Sequence, residues 1–155
     1  MFKKNFFLLI FILVLSNSCG YTPTYTNLTA KNIKITTLET DGDELINTYI
    51  NSRLKVYSKN DGNDFFKIDI FSTFEKKDLS KNATGKIINY ELKIKVEFDV
   101  NSKNKNKKII IEENFSLNNS ENVYKNNQNE NLIKKDFANT AVEKLLEELV
   151  LFKWL

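Results

Sequence analysis

The sequence contains no histidine, one cysteine, one proline and four glycines among its 155 residues. Without histidine, the commonest general base and a frequent metal ligand are missing. A single cysteine excludes an internal disulfide and any cysteine-rich metal site. Four glycines do not form a glycine-rich phosphate loop, and no G-x-S-x-G motif is present. We therefore expect no catalytic residue, no metal site and no cofactor.

A strong charge of either sign is also lacking. The chain carries 23 basic and 20 acidic side chains, for a net charge of +3. That balance gives no electrostatic attraction to nucleic acid, so no nucleic-acid partner is expected. The length suits a single domain with one modest core.

The amino-terminal residues have the layout of a secretory leader. Lys3 and Lys4 precede an unbroken apolar run, FFLLIFILVL, at residues 6–15. A membrane span needs roughly 20 apolar residues, about twice the length of this run. The alternative is a buried core helix, but a lysine pair before a short apolar run and small residues after it are typical of a signal peptide.

The only cysteine, Cys19, stands where this leader ends. The small residues 16–18 precede it, and the arrangement resembles the lipobox of bacterial lipoproteins, in which the thiol receives diacylglycerol and the chain is cut before the cysteine. Acyl chains contribute about 0.8 kcal/mol per buried CH₂, so several chains anchor a protein firmly. We predict a signal peptide at residues 1–18, lipidation and membrane attachment at Cys19, and an extended tether at residues 19–32 containing Pro23. A chance cysteine in a leader is the alternative. Gly20 is the residue directly after Cys19. Aspartate at this position would indicate retention in the inner membrane, so by resemblance glycine favours the outer membrane.

The residues from 33 to 155 predict one α+β domain. Alternating apolar residues indicate a strand at residues 32–38, followed by a turn in which Asp41 or Asp43 caps a helix over residues 44–57. A second strand is predicted at residues 65–74, followed by a polar connection over residues 75–86. The strictest alternation, at residues 88–100, predicts a long strand with Ile88 through Val100 on a covered face and charged residues on a wet face.

The remaining pattern predicts a strand at residues 108–117 after a basic hairpin loop, an asparagine-rich loop at residues 118–131, and an amphipathic helix from about residue 129 to 151. The fold class is therefore α+β, a two-layer sandwich. A four-stranded sheet is covered by two helices in the order β-α-β-β-β-α.

Two clusters of lysines flank the long third strand and are expected at its opposite ends. They are Lys76, Lys77, Lys81 and Lys86 in the first cluster, and Lys103, Lys105, Lys107 and Lys108 in the second. The simplest interpretation is solubility and protection of sheet edges. The functional alternative is contact with an anionic headgroup or a sugar phosphate, for which lysine is a point charge.

Four segments together resemble the LPS-assembly lipoprotein family LptE, whose members are partners of the outer-membrane barrel LptD. CGYTPTY at residues 19–25 is similar to the family's opening. Residues 35–57 resemble its first strand, loop and helix, residues 85–100 its glycine, aromatic and long strand, and residues 129–149 its closing helix. The order of the elements also agrees.

The resemblance implies a non-enzymatic subunit of the lipopolysaccharide translocon at the periplasmic face of the outer membrane. Such proteins help an LptD-type barrel to assemble, plug its lumen and are implicated in receiving lipopolysaccharide. It also implies ligand contacts by basic residues near the loop between the second and third strands and before the last helix. Ala83 stands where members can carry a basic residue, with Lys81 and Lys86 on either side, and Lys125 is nearest to the last helix.

Two other classes of function compete with this one. A lipid-anchored periplasmic carrier of lipids or glycolipids would need an apolar cavity, whereas a sheet covered by helices is expected to be filled; a general envelope-assembly lipoprotein is a related alternative. A periplasmic hydrolase is disfavoured because histidine is absent.

Overall fold

A computed structural model describes residues 32–103 and 105–152. In chain order, the elements are β1 (Ile33–Gly42), α1 (Glu44–Ser58), β2 (Asp64–Lys81), β3 (Ile87–Ser102), β4 (Lys105–Asn118) and α2 (Val123–Phe152). The predicted signal peptide at residues 1–18, Cys19 and the tether up to residue 31 lie outside the described residues. The predicted α+β class and the order β-α-β-β-β-α are confirmed.

The four strands form one sheet in the order β1-β2-β3-β4. β1 is parallel to β2, and α1 makes the crossover that a parallel pair requires. β2, β3 and β4 then pair antiparallel along nearly their whole lengths. β3 therefore lies inside the sheet, and β1 and β4 are its edges.

Both helices pack on the same face of the sheet and against each other. In β3 the side chains of Tyr90 through Val100 are buried at every second position, as the sequence alternation predicted. Ile88 was predicted on this face as a buried residue, but it is 44% exposed because it stands beside the turn at the end of the sheet. The other apolar side chains of the core are Ile33, Ile35, Ile46, Ile50, Leu54, Phe66, Ile68, Ile70, Ile109, Ile111, Phe137, Ala138, Ala141, Val142, Leu145, Leu146 and Leu149.

The start of α1 follows from two residues. Asp43 is the N-cap, and its Oδ1 accepts a hydrogen bond from the Ile46 amide at 3.0 Å, as predicted for this position. Gly42 has a φ of +101°, and a Cβ there would lie 1.7 Å from the Ser72 carbonyl oxygen. Glycine at this position therefore lets β1 approach β2 before the chain turns into the helix.

Four predicted boundaries are wrong because pairing continues where the apolar pattern stops. β1 extends to Gly42 after a bulge, and the amide of Glu39 in that bulge donates to Asp69 Oδ1 at 3.2 Å. β2 continues through the predicted polar connection as far as Lys81, paired with β3 throughout, with shifts in register after Asp78. β3 and β4 similarly extend through the predicted basic loop, to Ser102 and from Lys105.

The predicted asparagine-rich loop at residues 118–131 is also wrong. α2 begins at Val123, about six residues before the predicted start. Asn122 precedes it, and its Oδ1 accepts from the Lys125 amide at 3.2 Å. Asparagine is unfavourable inside a helix but effective as a cap, which is why composition alone hid this start.

Candidate functional site

The three lysines predicted from the family resemblance lie at one end of the sheet. We define this hairpin end as Lys81, the β2–β3 turn at residues 82–86, the β4–α2 connection at residues 119–122 and the first turn of α2. Lys81 is the last residue of β2 and pairs in register with Ile87. Lys86 closes the turn, and Lys125 is the third residue of α2.

The β2–β3 turn is fixed by the side chain of Asn82. Its Oδ1 accepts hydrogen bonds from the amides of Thr84 at 3.1 Å and Lys86 at 2.9 Å, and from the Thr84 hydroxyl at 2.7 Å. Gly85 takes a φ of +81°, a conformation that glycine adopts without strain. This local chemistry sets the positions of Lys81 and Lys86 on the two sides of the turn.

A buried asparagine ties the start of α2 to the first residues of β3, directly after this turn. The Oδ1 of Asn126 accepts from the Ser120 amide at 2.9 Å, and its Nδ2 donates to Asn119 Oδ1 and to the Ser120 carbonyl, both at 2.8 Å. The side-chain Nδ2 of Asn119 donates to the Ile87 carbonyl at 2.9 Å, and the backbone N–H of Asn119 donates to the Ile88 carbonyl at 2.8 Å. Asn126 and Asn119 therefore join three separate segments into one surface.

Charge at the hairpin end is predominantly basic and open to solvent. Lys86 Nζ donates to Glu121 Oε1 at 2.6 Å, and this hydrogen bond and the lysine charge lower the pKa of the Glu121 carboxyl. Lys81 Nζ lies 3.9 Å from Asp78, an exposed pair. Lys125 is exposed, and its side chain makes no ion pair with the residues that the structure describes. Exposed pairs of this kind are weak, so the lysines remain available to an anion.

The other two lysines of the first predicted cluster have different surroundings. Lys76 lies in β2, where its Nζ is 2.6 Å from Glu130 and 4.1 Å from the centre of the Tyr90 ring. These contacts hold α2 on the sheet, so we assign Lys76 a structural role. Lys77 is exposed on the opposite face of the same strand.

Sequence reasoning missed Asn119, Glu121 and Asn126. Each lies in the stretch that was predicted as a loop. The spacing of apolar residues gave no signal there, because the contacts are made by polar side chains, with backbone groups and with other side chains.

At the opposite end of the sheet, a half-open groove of about 340 Å³ lies beside the β3–β4 turn. It is lined by Phe65, Phe66, Phe152, Asp64, Ser102, Lys103 and Lys105. Elsewhere, the described residues contain no cluster of three or more acidic or thiol side chains suited to a metal ion. No helix in residues 32–103 and 105–152 combines the length and apolarity needed to span a bilayer.

Comparison with known proteins decides the family. The profile of the LptE family, described as Lipopolysaccharide-assembly, matches residues 26–149. The chain belongs to the LptE family. This is a family of non-catalytic lipoproteins that work with the lipopolysaccharide transport machinery, so the chain is a lipopolysaccharide-assembly lipoprotein of the cell envelope.

Solved structures share the LptE fold of this chain. Rare lipoprotein B from Shewanella oneidensis is similar with a TM-score of 0.56 and 20% identity, over 76% of this chain and 96% of that one. A minor lipoprotein from Acinetobacter baumannii has a TM-score of 0.51 and 13% identity, over 76% of this chain and 92% of that one. No curated protein sequence matches the chain.

Proposed function

We propose that this protein is an outer-membrane subunit of the lipopolysaccharide translocon, attached to the periplasmic face through lipidated Cys19. The domain at residues 33–155 associates with an LptD-type β-barrel, assists its assembly and plugs its lumen without catalysing a reaction. Its hairpin end contacts the anionic groups of lipopolysaccharide. Family membership supports the assembly role.

The observation that carries the ligand contact is that three exposed lysines lie on neighbouring segments at one end of the sheet. Lys81 and Lys86 flank the β2–β3 turn, and Lys125 lies in the first turn of a helix that is hydrogen-bonded through Asn126 and Asn119 to the start of β3, directly after that turn. Lysine ammonium groups bind phosphate as point charges and need no fixed geometry. A lipid-linked sugar phosphate is therefore suited to this surface.

The uncovered face of the sheet supports the plug role. Along β3 it presents Glu91, Lys93, Lys95, Glu97 and Asp99, and neighbouring strands pair several of these charges. Lys93 Nζ lies 3.0 Å from Glu112 Oε1, and Lys108 Nζ lies 3.0 Å from Glu97 Oε2. Such a face remains hydrated, which suits a domain held in a water-filled lumen.

The alternative of a free lipid or glycolipid carrier is less well supported. The space between the helices and the sheet is filled by the core side chains. The groove beside the β3–β4 turn is open and includes four polar or charged side chains, so it does not supply the enclosed apolar site that an acyl chain needs.

The ligand contact is tested with the Lys81→Glu and Lys86→Glu double variant and with Lys125→Glu. The full-length protein in detergent is titrated with purified lipopolysaccharide, and we expect the double variant to bind at least about tenfold more weakly, because two charge-assisted contacts become repulsions. Lys55→Glu with Lys67→Glu is the matched control, with the same charge change at exposed positions outside the hairpin end. Equal losses in both double variants would contradict a specific site.

A further inference from the structure

The second lysine cluster, at the end of the sheet opposite the hairpin end, contains two kinds of residue. Lys107 and Lys108 form ion pairs with Glu148 and with acidic residues of β3. Lys103 and Lys105 are exposed, and neither forms an ion pair with any residue that the structure describes. Both of them line the groove beside the β3–β4 turn. Two uncompensated ammonium groups therefore border this groove.

The walls of the groove are held by contacts within the chain. Ser102 Oγ, at the end of β3, donates a hydrogen bond to the Phe65 carbonyl at 3.0 Å. On the helix side, the centre of the Phe152 ring lies 6.4 Å from that of the Phe66 ring. Lys107 Nζ lies 5.7 Å from the centre of the Phe152 ring. The groove is therefore formed before a ligand arrives, as small-molecule sites usually are.

Two phenylalanine rings give the groove an aromatic surface. Phe65 is 38% exposed although it lies in a paired strand, and Phe152 is half-buried at the end of α2. The face of an aromatic ring is negative, so it attracts positively polarised hydrogens. The C–H hydrogens on the flat side of a sugar ring are of this kind. Asp64 and Ser102 supply polar groups in the same lining for the hydroxyls of the sugar.

The backbone at Lys103 is strained. Its φ is +48°, and within residues 32–103 and 105–152 no other residue except glycine has a positive φ. A residue with a Cβ is disfavoured in this left-handed region, where tight hairpins usually place asparagine or glycine. Strain of this kind clusters at binding and catalytic sites, where the surrounding structure maintains it. The turn thus holds a lysine where glycine would fit with less strain.

We propose that this groove binds a phosphorylated sugar, whose ring packs on Phe65 and Phe152 and whose phosphate is bound by Lys103 and Lys105. Lysine suits this role because its ammonium group binds phosphate as a point charge. The groove volume of about 340 Å³ lies at the lower end of the range typical of small-molecule sites, roughly 300–1,000 Å³. The site is separate from the hairpin end and does not rest on the ligand contact proposed there.

The position of the groove in the chain gives two sources for such a sugar. The chain enters β1 beside the groove, since Ile33 pairs with Asp64. A tether attached to lipidated Cys19 would therefore join the domain at this end. The carbohydrate of a membrane glycolipid is one source, and a free sugar phosphate is the other.

NMR of the backbone amides tests the site in the full-length protein in detergent. The probes are glucosamine phosphate, fully deacylated lipopolysaccharide and inorganic phosphate, each titrated separately. We expect the amides of Phe65, Ser102, Lys103 and Lys105 to shift with at least one of the two sugar probes, and the tighter of these identifies the source. Inorganic phosphate should bind more weakly, because it makes no contact with the aromatic rings. Unchanged groove amides with both sugar probes, or equally tight binding of inorganic phosphate, would overturn the proposal.

Substitutions on the two sides of the groove test its contacts. Lys103→Gln with Lys105→Gln should weaken binding of the sugar probe at least about fivefold, because two charged contacts are lost. Phe65→Thr should also weaken it, without a change in net charge. Lys77→Gln with Lys135→Gln is the matched control, since both lysines are exposed and lie outside the groove. Circular dichroism checks that each variant is folded, and equal losses in the two double variants would contradict the site.

The double variant at the hairpin end separates this proposal from the one made above. Lys81→Glu with Lys86→Glu should leave the shifts of the groove amides unchanged, because neither residue lines the groove. Loss of those shifts in this variant would show that the groove is not an independent site.

Lys103→Gly separates binding from folding. It relieves the positive φ and removes the ammonium group, so we expect a urea midpoint at least as high as that of the unaltered protein and weaker binding of the sugar probe. Lys105→Gln, at a residue of β4, should weaken binding without raising the midpoint. A Lys103→Gly protein that binds the probe as tightly as the unaltered protein would contradict the proposal.

Discussion

Tyr90 is a core residue whose phenol hydroxyl is buried. Only 1% of its surface is exposed, and Lys76 Nζ lies 4.1 Å from the centre of its ring. The phenol oxygen is buried without a hydrogen bond of standard geometry, beside the Glu130 carboxylate. Burial first, and then the negative charge of Glu130, raise the pKa of the phenol above its usual value of 10.0. The folded chain therefore favours the neutral phenol.

This shift predicts an alkaline loss of stability that Tyr90→Phe reduces. A pKa raised by folding contributes stability below the pKa of the unfolded state, and that stability is lost as the pH rises through the folded pKa. The free energy of unfolding should therefore fall less between pH 9 and 11 in Tyr90→Phe than in the unaltered protein. At pH 7 the variant should be at least as stable, since an unpaired buried hydroxyl is removed.

Urea denaturation at pH 8 and pH 10.5 measures this difference. The pKa values of Lys93 and Lys108 are also raised, chiefly by hydrogen bonds to Glu112 and Glu97, so part of the alkaline decline is common to both proteins. Tyr124→Phe is the control, because Tyr124 is 69% exposed. The same pH dependence in Tyr90→Phe and the unaltered protein would contradict the prediction.

At the scale of elements, the apolar pattern predicted those parts of the fold that burial stabilises. The alternation from Tyr90 to Val100 and the helical spacing from Phe137 to Leu149 were read correctly, since both follow a covered face. The end of β2 was missed, because it carries charged residues and remains extended through pairing with β3. The first turns of α2 were missed for a similar reason, since polar contacts hold them.

Asn126 is the residue on which the start of α2 most depends. It is 6% exposed and makes hydrogen bonds to Ser120 and Asn119, and Asn119 in turn donates to the Ile87 carbonyl at the start of β3. Asn126→Ala removes three hydrogen bonds and leaves partly buried partners unpaired, so we expect the free energy of unfolding to fall by about 1–3 kcal/mol.

Chemical denaturation of Asn126→Ala and Asn127→Ala provides a matched comparison. Asn127 is the exposed neighbour in the same helical turn, so its replacement should change stability by no more than about 0.5 kcal/mol. Hydrogen exchange should also show faster exchange of the first α2 amides in Asn126→Ala. Equal stability of the two variants would show that the network does not hold the helix start.

At the scale of the whole molecule, the two groups of lysines have different surroundings. Lys81, Lys86 and Lys125 are presented by a turn and a helix start, whereas Lys107 and Lys108 lie in an edge strand and pair with Glu148 and Glu97. The sequence predicted both lysine clusters and their placement at opposite ends of β3. It did not predict that hydrogen bonds from Asn119 and Asn126 join Lys125 to the first cluster, because neither residue leaves a periodic signal.

The whole-molecule proposal requires both an anchor and a barrel partner, and Cys19 links the two. We expect Cys19→Ala to abolish lipid labelling and leader cleavage at this site, since no other thiol is present in the chain. Ser16→Leu is the matched control, because it alters the same leader but keeps the thiol.

From detergent-solubilised envelopes, the unaltered protein should recover a large β-barrel at fixed stoichiometry. Cys19→Ala should recover less, because membrane attachment brings the domain to the barrel. Recovery of an unaccompanied monomer with bound lipid would instead support a free carrier.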